Sequence, residues 1–253
     1  MIYTILASGS DGNALYIRSA QTSVLIDAGL FCGELEGRLR HHNINPGTVE
    51  AIALTHAHSD HIKGAGQFAH KYRIPLIGDP ATLERVDIRP NQKLISWTDP
   101  VFTVKDLRFT PFALSHDCQP TYGYLIESGG SRLAVCTDLG MITPGVKDHL
   151  SRANALVIEA NHDPELLMGY RDYPWHLRQR ISSPLGHLSN FNCGELLAEI
   201  LRPSHKQIVL AHLSEKTNTP ELALRTVLEF IGDDRRPMVT VASQAIPTHM
   251  FSI

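Results

Sequence analysis

The segment EAIALTHAHSDHIKG, residues 50–64, constrains this chain more than any other stretch. An apolar run with the pattern of a buried strand ends at Thr55, and His56, His58, Asp60 and His61 follow at once. A solvated loop has no need of cation-binding side chains at that density. At a strand end two imidazoles two apart can turn toward one point, while Asp60 and His61 at the start of a following helix serve a neighbouring point. The spacing predicts two metal positions. Nitrogen and oxygen donors without thiolate suit Zn²⁺, Mn²⁺ or Fe²⁺ alike.

Two ions need more ligands than four, and the chain offers each at the end of another predicted strand: His116 in FALSHD, Asp138 in AVCTDLG and His212 in IVLAHLS. Asp138 can bridge, since a carboxylate places one oxygen on each ion and its charge lowers their repulsion. His116 then completes the first ion and His212 the second. Asp27 ends TSVLIDAG and can orient a ligand imidazole through its distal N–H, an ordinary turn role being the alternative.

Short runs rich in Val, Ile and Leu at 3–7, 14–18, 23–27, 50–55, 101–104, 107–112, 121–127 and 132–137 read as strands. Later runs at 155–160, 207–211 and 237–242 alternate with helical patterns at 195–202 and 220–232. With hairpins at SDGN (10–13) and ESGGS (127–131), the pattern suggests an α/β fold of two packed sheets with outer helices, a four-layer αββα sandwich. A chain of 253 residues with 43% hydrophobic and 19% charged residues suits one domain, 1–253, with no linker or repeat to divide it. The stretch 162–190 is the least regular and reads as a loop or lid.

The residues His56-x-His58-x-Asp60-His61 form the signature of the metallo-β-lactamase superfamily, and Asp27, His116, Asp138 and His212 match its other motifs in order. True class B β-lactamases typically carry a cysteine at the position of Asp138 and often lack a match to His61. ASGSDGNALYI, THAHSDHIKG, TDLG, EANHDPELL, YPWHLRQRI, GHLSN and LAHLSEKTN closely resemble the WalJ/YycJ group, described as ribonuclease Z-like or exonuclease-like. The resemblance implies the metallo-β-lactamase fold, a dinuclear site and phosphodiester hydrolysis of DNA or RNA. It also implies a role for His187 in Gly186-His187-Leu188-Ser189, since a similar loop of the tRNA-processing ribonuclease Z enzymes carries a histidine that protonates the leaving oxygen. A helix-cap neighbour is the alternative. The long insertion with which ribonuclease Z grips tRNA has no match here, which argues against a tRNA substrate.

Asp60 is a candidate to orient or deprotonate the attacking water, and His187 or His162 to protonate the departing oxygen. Arg171, Arg178 and Arg180 fall with Tyr173, Trp175 and His176, a mixture suited to phosphates and stacked bases but equally to a solvated helix face. Asn190 and Asn218 are candidates to support the site or contact substrate. Ser8, Ser10, Gly12 and Asn13 either pass near the metals or merely close a hairpin.

A net charge of −3 supplies no global field for nucleic acid, so a polyanion must meet a local patch or the metals. The N-terminus lacks a basic, signal-like region and no apolar run is long enough to span a bilayer, so a cytoplasmic protein is expected. Four scattered cysteines make no CxxC pair and read as reduced structural thiols. The same metals could instead serve a small thioester, lactone or cyclic phosphate. A binding protein that keeps the fold without catalysis ranks last, because the ligand set is complete.

Overall fold

The apolar runs form two seven-stranded sheets, and the computed structural model describes the backbone of residues 1–253 and every side chain except that of Pro237. The strands of the first are β1 (Ile2–Ala7), β2 (Ala14–Arg18), β3 (Ser23–Ile26), β4 (Ala51–Ala53), β5 (Leu76–Gly78), β6 (Leu94–Ser96) and the C-terminal Phe251–Ser252. The second holds β7 (Phe102–Val104), β8 (Leu107–Ala113), β9 (Tyr122–Ser128), β10 (Ser131–Cys136), β11 (Ala155–Glu159), β12 (Gln207–Ala211) and β13 (Val239–Val241). The C-terminal strand is therefore β14. The orders are β14-β1-β2-β3-β4-β5-β6 and β13-β12-β11-β10-β9-β8-β7.

The helices are α1 (Cys32–His41), α2 (Ser59–Ile62), α3 (Ala65–Tyr72), α4 (Pro80–Leu83), α5 (Pro144–Ser151), α6 (Pro164–Gly169), α7 (Trp175–Ile181), α8 (Asn190–Ile200) and α9 (Pro220–Ile231). Several start as their sequences dictate. Thr143, Asp163 and Thr219 cap α5, α6 and α9 through side-chain oxygens, each followed by a proline whose missing N–H costs nothing in the first turn. The stretch 162–190 thus contains two short helices, α6 and α7, within what reads as loop.

The chain divides into two compact units. The first comprises Met1–Pro111, Ile126–Ser131 and Ser243–Ile253, and the second Phe112–Leu125 and Arg132–Ala242. In the first unit β3, β4, β5 and β6 run parallel, and Leu35 and Leu39 of α1 with Phe68 of α3 join a core with Leu25, Ile52 and Leu76. In the second unit β10, β11, β12 and β13 run parallel beneath α5, α8 and α9. Every residue of β11 is buried, and Ala155 to Ile158 form the continuous apolar run of a strand covered on both faces, closed by Glu159. Each fully buried Leu, Ile or Val here contributes roughly 1.5–3 kcal/mol relative to exposure. Such strands are stiff, and their carboxyl ends are where open α/β sheets bind ligands.

Among the described residues no helix is long and apolar enough to cross a membrane. Cys32, Cys118, Cys136 and Cys193 are free thiols, all but Cys118 buried.

Candidate metal centre

In the first unit the cluster begins where β3 ends. Asp27 takes φ = 59°, a left-handed backbone that Asp tolerates better than most residues, and this turns its carboxylate out of the strand direction. Its Oδ1 accepts the Thr55 N–H at 2.8 Å, while Oδ2 accepts the Thr55 hydroxyl at 2.8 Å and His61 Nδ1–H at 2.7 Å. The Thr55 hydroxyl has given its one proton to Asp27, so at 2.9 Å from His56 Nδ1 it can only accept. Both imidazoles therefore carry their proton on Nδ1 and offer the Nε2 lone pair as ligand atom. This is the carboxylate–histidine arrangement that orients metal ligands. The His56 ring centroid lies 4.9 Å from that of His58 and 4.1 Å from that of His61.

Asp60 and His61 sit at the start of α2, held by the loop after β1. Asn13 donates to Asp60 Oδ2 at 3.1 Å, and its Nδ2 lies 3.0 Å from His61 Nε2. The turn at 10–13 thus closes the β1–β2 hairpin and touches the cluster as well. Gly29 makes this packing possible: a Cβ there would lie 1.6 Å from the Asp60 carbonyl oxygen, so only glycine fits.

In the second unit, adjacent parallel strands deliver three groups side by side. Asp138 follows β10, Glu159 ends β11 and His212 follows β12, with Asp138 and His212 again in the left-handed region at φ 63° and 55°. Glu159 Oε1 accepts Nδ1–H of His187 at 2.8 Å and of His212 at 2.7 Å. Its Oε2 accepts the backbone N–H groups of Leu139 at 3.1 Å and Leu188 at 3.0 Å. Burial pushes this carboxyl up, but the charge and hydrogen bond of His187, followed by those of His212, outweigh it and hold it at about 2. For His187 burial acts downward, and the Glu159 charge and hydrogen bond reverse the sign, so its net shift is upward.

His116 is pinned in the same way, its Nδ1 facing the Gly186 carbonyl at 3.0 Å and its Nε2 lying 3.8 Å from Asp138 Oδ1. Asp138, Glu159, His187 and His212 each offer a ligand atom within 4.8 Å of all the others. Imidazole and carboxylate donors with fixed tautomers fit divalent cations of the Zn²⁺, Mn²⁺ or Fe²⁺ type. The predicted ligands gather accordingly, His56, His58, Asp60 and His61 in the first unit and His116, Asp138 and His212 in the second.

The remaining candidates divide between the interior and the surface. His162 is 2% exposed, its Nδ1 faces Asn161 Oδ1 at 3.3 Å, and burial lowers its pKa to about 4, so the ring is neutral near pH 7. Asn190 and Asn218 are buried and exchange reciprocal amide hydrogen bonds at 2.8 Å, with Asn218 also donating to the Ala160 and Asn161 carbonyls. Arg178 donates to the Met168 carbonyl and lies 5.4 Å from the centroid of the Trp175 ring, Arg180 pairs with Asp117 at 3.3 Å, and Arg171 is exposed.

Sequence reasoning missed Glu159, although the signal was present. It closes an apolar run with an acid, as Asp27 does, and a charged group at the buried end of a strand has to be matched by partners.

A family model described as a beta-lactamase superfamily domain matches residues 22–213. The exodeoxyribonuclease YycJ of Bacillus anthracis is 36% identical over 91% of this chain and 89% of its own length. The exodeoxyribonuclease WalJ of Streptococcus pneumoniae is 35% identical over 89% of this chain and 86% of its own. Among solved structures, the metallo-beta-lactamase fold protein YhfI of Bacillus subtilis and Zn²⁺-bound PqqB of Methylobacterium extorquens each align with a TM-score of 0.73 at 17% identity. They cover 98% of this chain and 98% and 100% of their own. Human tRNase Z, short form, aligns with a TM-score of 0.66 at 16% identity, covering 98% of this chain and 99% of its own. These likenesses bear out the expected α/β class and the metallo-β-lactamase fold. The matched residues run through every ligand candidate from Asp27 to His212, and the chain belongs to the beta-lactamase superfamily, in the metallo-β-lactamase-fold group that includes YycJ and WalJ.

Proposed function

We propose that this protein is a metal-dependent nuclease that removes nucleotides from DNA ends by hydrolysing the phosphodiester bond. The observation that carries the proposal is His187, a partly exposed imidazole with raised proton affinity, fixed by Glu159 beside Asp138 and His212. Departure of an alkoxide from phosphorus needs a proton, whereas many acyl substrates do not need one supplied at this position. The names of the relatives at 35–36% identity support DNA as the polymer. One family model passing through both units supports treating the chain as a single domain.

His56, His58, Asp60, His61, His116, Asp138 and His212 are the proposed ligands of two divalent ions, Zn²⁺, Mn²⁺ or Fe²⁺. When bound, the ions supply Lewis acidity toward water and phosphate oxygens. Asp60, held by Asn13, orients the attacking water and takes its proton. His187 keeps Nδ1–H on Glu159 and gives up the proton on Nε2 to the departing oxygen. Asp27 and Glu159 fix the ligand imidazoles. His162 is the weaker candidate for the acid, since its lowered pKa leaves it without a second proton near neutrality. Asn190 and Asn218, paired with each other, hold the loops that carry His187 and His212.

The test is cleavage of end-labelled single- and double-stranded DNA and RNA by Mn²⁺- or Zn²⁺-loaded protein, beside Asp60→Ala and His187→Ala. Metal-dependent shortening of DNA that is lost in Asp60→Ala supports the proposal. No cleavage of any polymer by fully metallated protein overturns it in favour of a small ester or cyclic phosphate.

A further inference from the structure

In α7 (Trp175–Ile181) no residue is buried, and Trp175 at its start is 57% exposed. A short helix with no buried face owes its order to something other than core packing. Here the order comes from its C-terminal end. His187 N–H donates to the Ile181 carbonyl at 2.8 Å. Gly186 packs so tightly there that a Cβ would lie 2.1 Å from the Ile181 oxygen and 2.2 Å from that of Arg180. The Gly186 carbonyl in turn faces His116 Nδ1 at 3.0 Å, and Arg180 pairs at 3.3 Å with Asp117, the neighbour of His116. The helix is therefore tied at one end to a proposed ligand and to the proposed acid, with Leu177, Arg178 and Ile181 half-buried and Trp175, His176, Gln179 and Arg180 exposed.

Its exposed side is built to present the indole. The Arg178 guanidinium lies over the Trp175 ring, 5.4 Å from its centroid, and also donates to the Met168 carbonyl, which braces the ring. Arg171 is exposed and makes no ion pair among the described residues. Within 171–181 three arginines stand against one acid, Asp172, in a chain whose net charge is −3. A local cationic strip with a braced aromatic face complements a polyanion with stackable rings.

We infer that α7 is a stacking platform for a single-stranded DNA end, with Trp175 the residue on which a nucleobase stacks and Arg171 a phosphate contact. This rests on the nuclease reading. Arg178 and Arg180 then act inside the protein, Arg178 bracing the indole and Arg180 tying the helix to the His116 segment. A base in a single strand has a free face to offer, whereas a base inside a duplex is already stacked.

The test uses metal-loaded full-length protein and a cleavage-resistant, fluorescein-labelled phosphorothioate oligo-dT. Trp175→Ala should raise the Kd about 5- to 150-fold, Trp175→Phe should recover most of the loss, and Tm should not move because the ring is exposed. In Trp97→Phe, which leaves Trp175 as the one tryptophan of the two, emission should be quenched on binding. A Kd for Trp175→Ala within about twofold of the wild type, with DNA still cleaved, overturns the platform and leaves the nuclease standing. Wild-type protein that neither binds nor cleaves nucleic acid overturns both. If Trp97→Phe does not fold, the Ala and Phe pair at Trp175 decides alone.

Discussion

Glu159 Oε1 accepts the Nδ1–H of His187 at 2.8 Å, at the end of a strand whose every residue is buried. The same carboxylate holds His212 and two backbone amides, so all its lone pairs are used. Replacing Glu159 with Gln keeps the shape but sets an NH₂ group against hydrogen-bond donors. We expect turnover and metal affinity to fall about 10- to 100-fold and stability to fall by about 1–3 kcal/mol. Metal analysis, initial rates and denaturant melts on the one variant check all three.

His187→Ala separates a proton donor from a ligand. As the acid, its loss should lower kcat by about 10²- to 10⁴-fold while the protein retains its full metal complement. Metal analysis showing that one ion is lost would instead make His187 a ligand.

Glu36 offers a pH prediction away from the metals. Lys71 donates to its carboxylate at 2.5 Å and Tyr72 at 2.9 Å, and the Lys71 hydrogen bond, with burial opposing, holds its pKa at about 2. A folded pKa below the unfolded one gives stability that is present in full above the unfolded value, about 4.3, and is lost as pH falls toward the folded value. The Tm gap between wild type and Glu36→Gln should therefore be widest near pH 6 and shrink steadily from about pH 4.5 downward. A gap of constant size would rule out the shifted carboxylate as its source.

Two glycines should respond oppositely to alanine. At Gly29 the added methyl meets the Asp60 carbonyl, and Gly29→Ala should destabilise by about 1–3 kcal/mol or more and loosen metal binding. At Gly37, inside α1, nothing lies within 4 Å of the new Cβ. Gly37→Ala should stabilise by about 0.5–1 kcal/mol. Thermal melts of the pair are sufficient.

How legible the site was depended on how local each contribution is. His56, His58, Asp60 and His61 crowd one strand end and could be recognised from spacing. Glu159 matters because β10, β11 and β12 lie side by side, a neighbourhood made by residues far apart in the chain. Arg178 and Arg180 read either as phosphate contacts or as part of a solvated helix face, and sequence could not show that the indole, the Met168 carbonyl and Asp117 engage them, partners that only the folded loop supplies. The helix α7 was invisible to periodicity for the reason that makes it interesting, since it has no buried face to produce one. Strands β5 and β6, three residues each, were too short to stand out from their surroundings.

The left-handed backbones at Asp27, Asp138 and His212 bear on how this protein can be varied in the laboratory. An alanine there changes two things together, since it removes a ligand or orienting group and replaces a residue type that tolerates the left-handed region with one that resists it. Asparagine keeps the conformation at low cost, but at Asp27 its NH₂ group would face the Thr55 and His61 donors, so Asp138→Asn is the variant that separates the metal question from the folding question. Libraries that sample these positions with apolar residues should return clones destabilised by about 1–2 kcal/mol from the backbone alone, so a loss of activity among them has to be read beside a thermal melt.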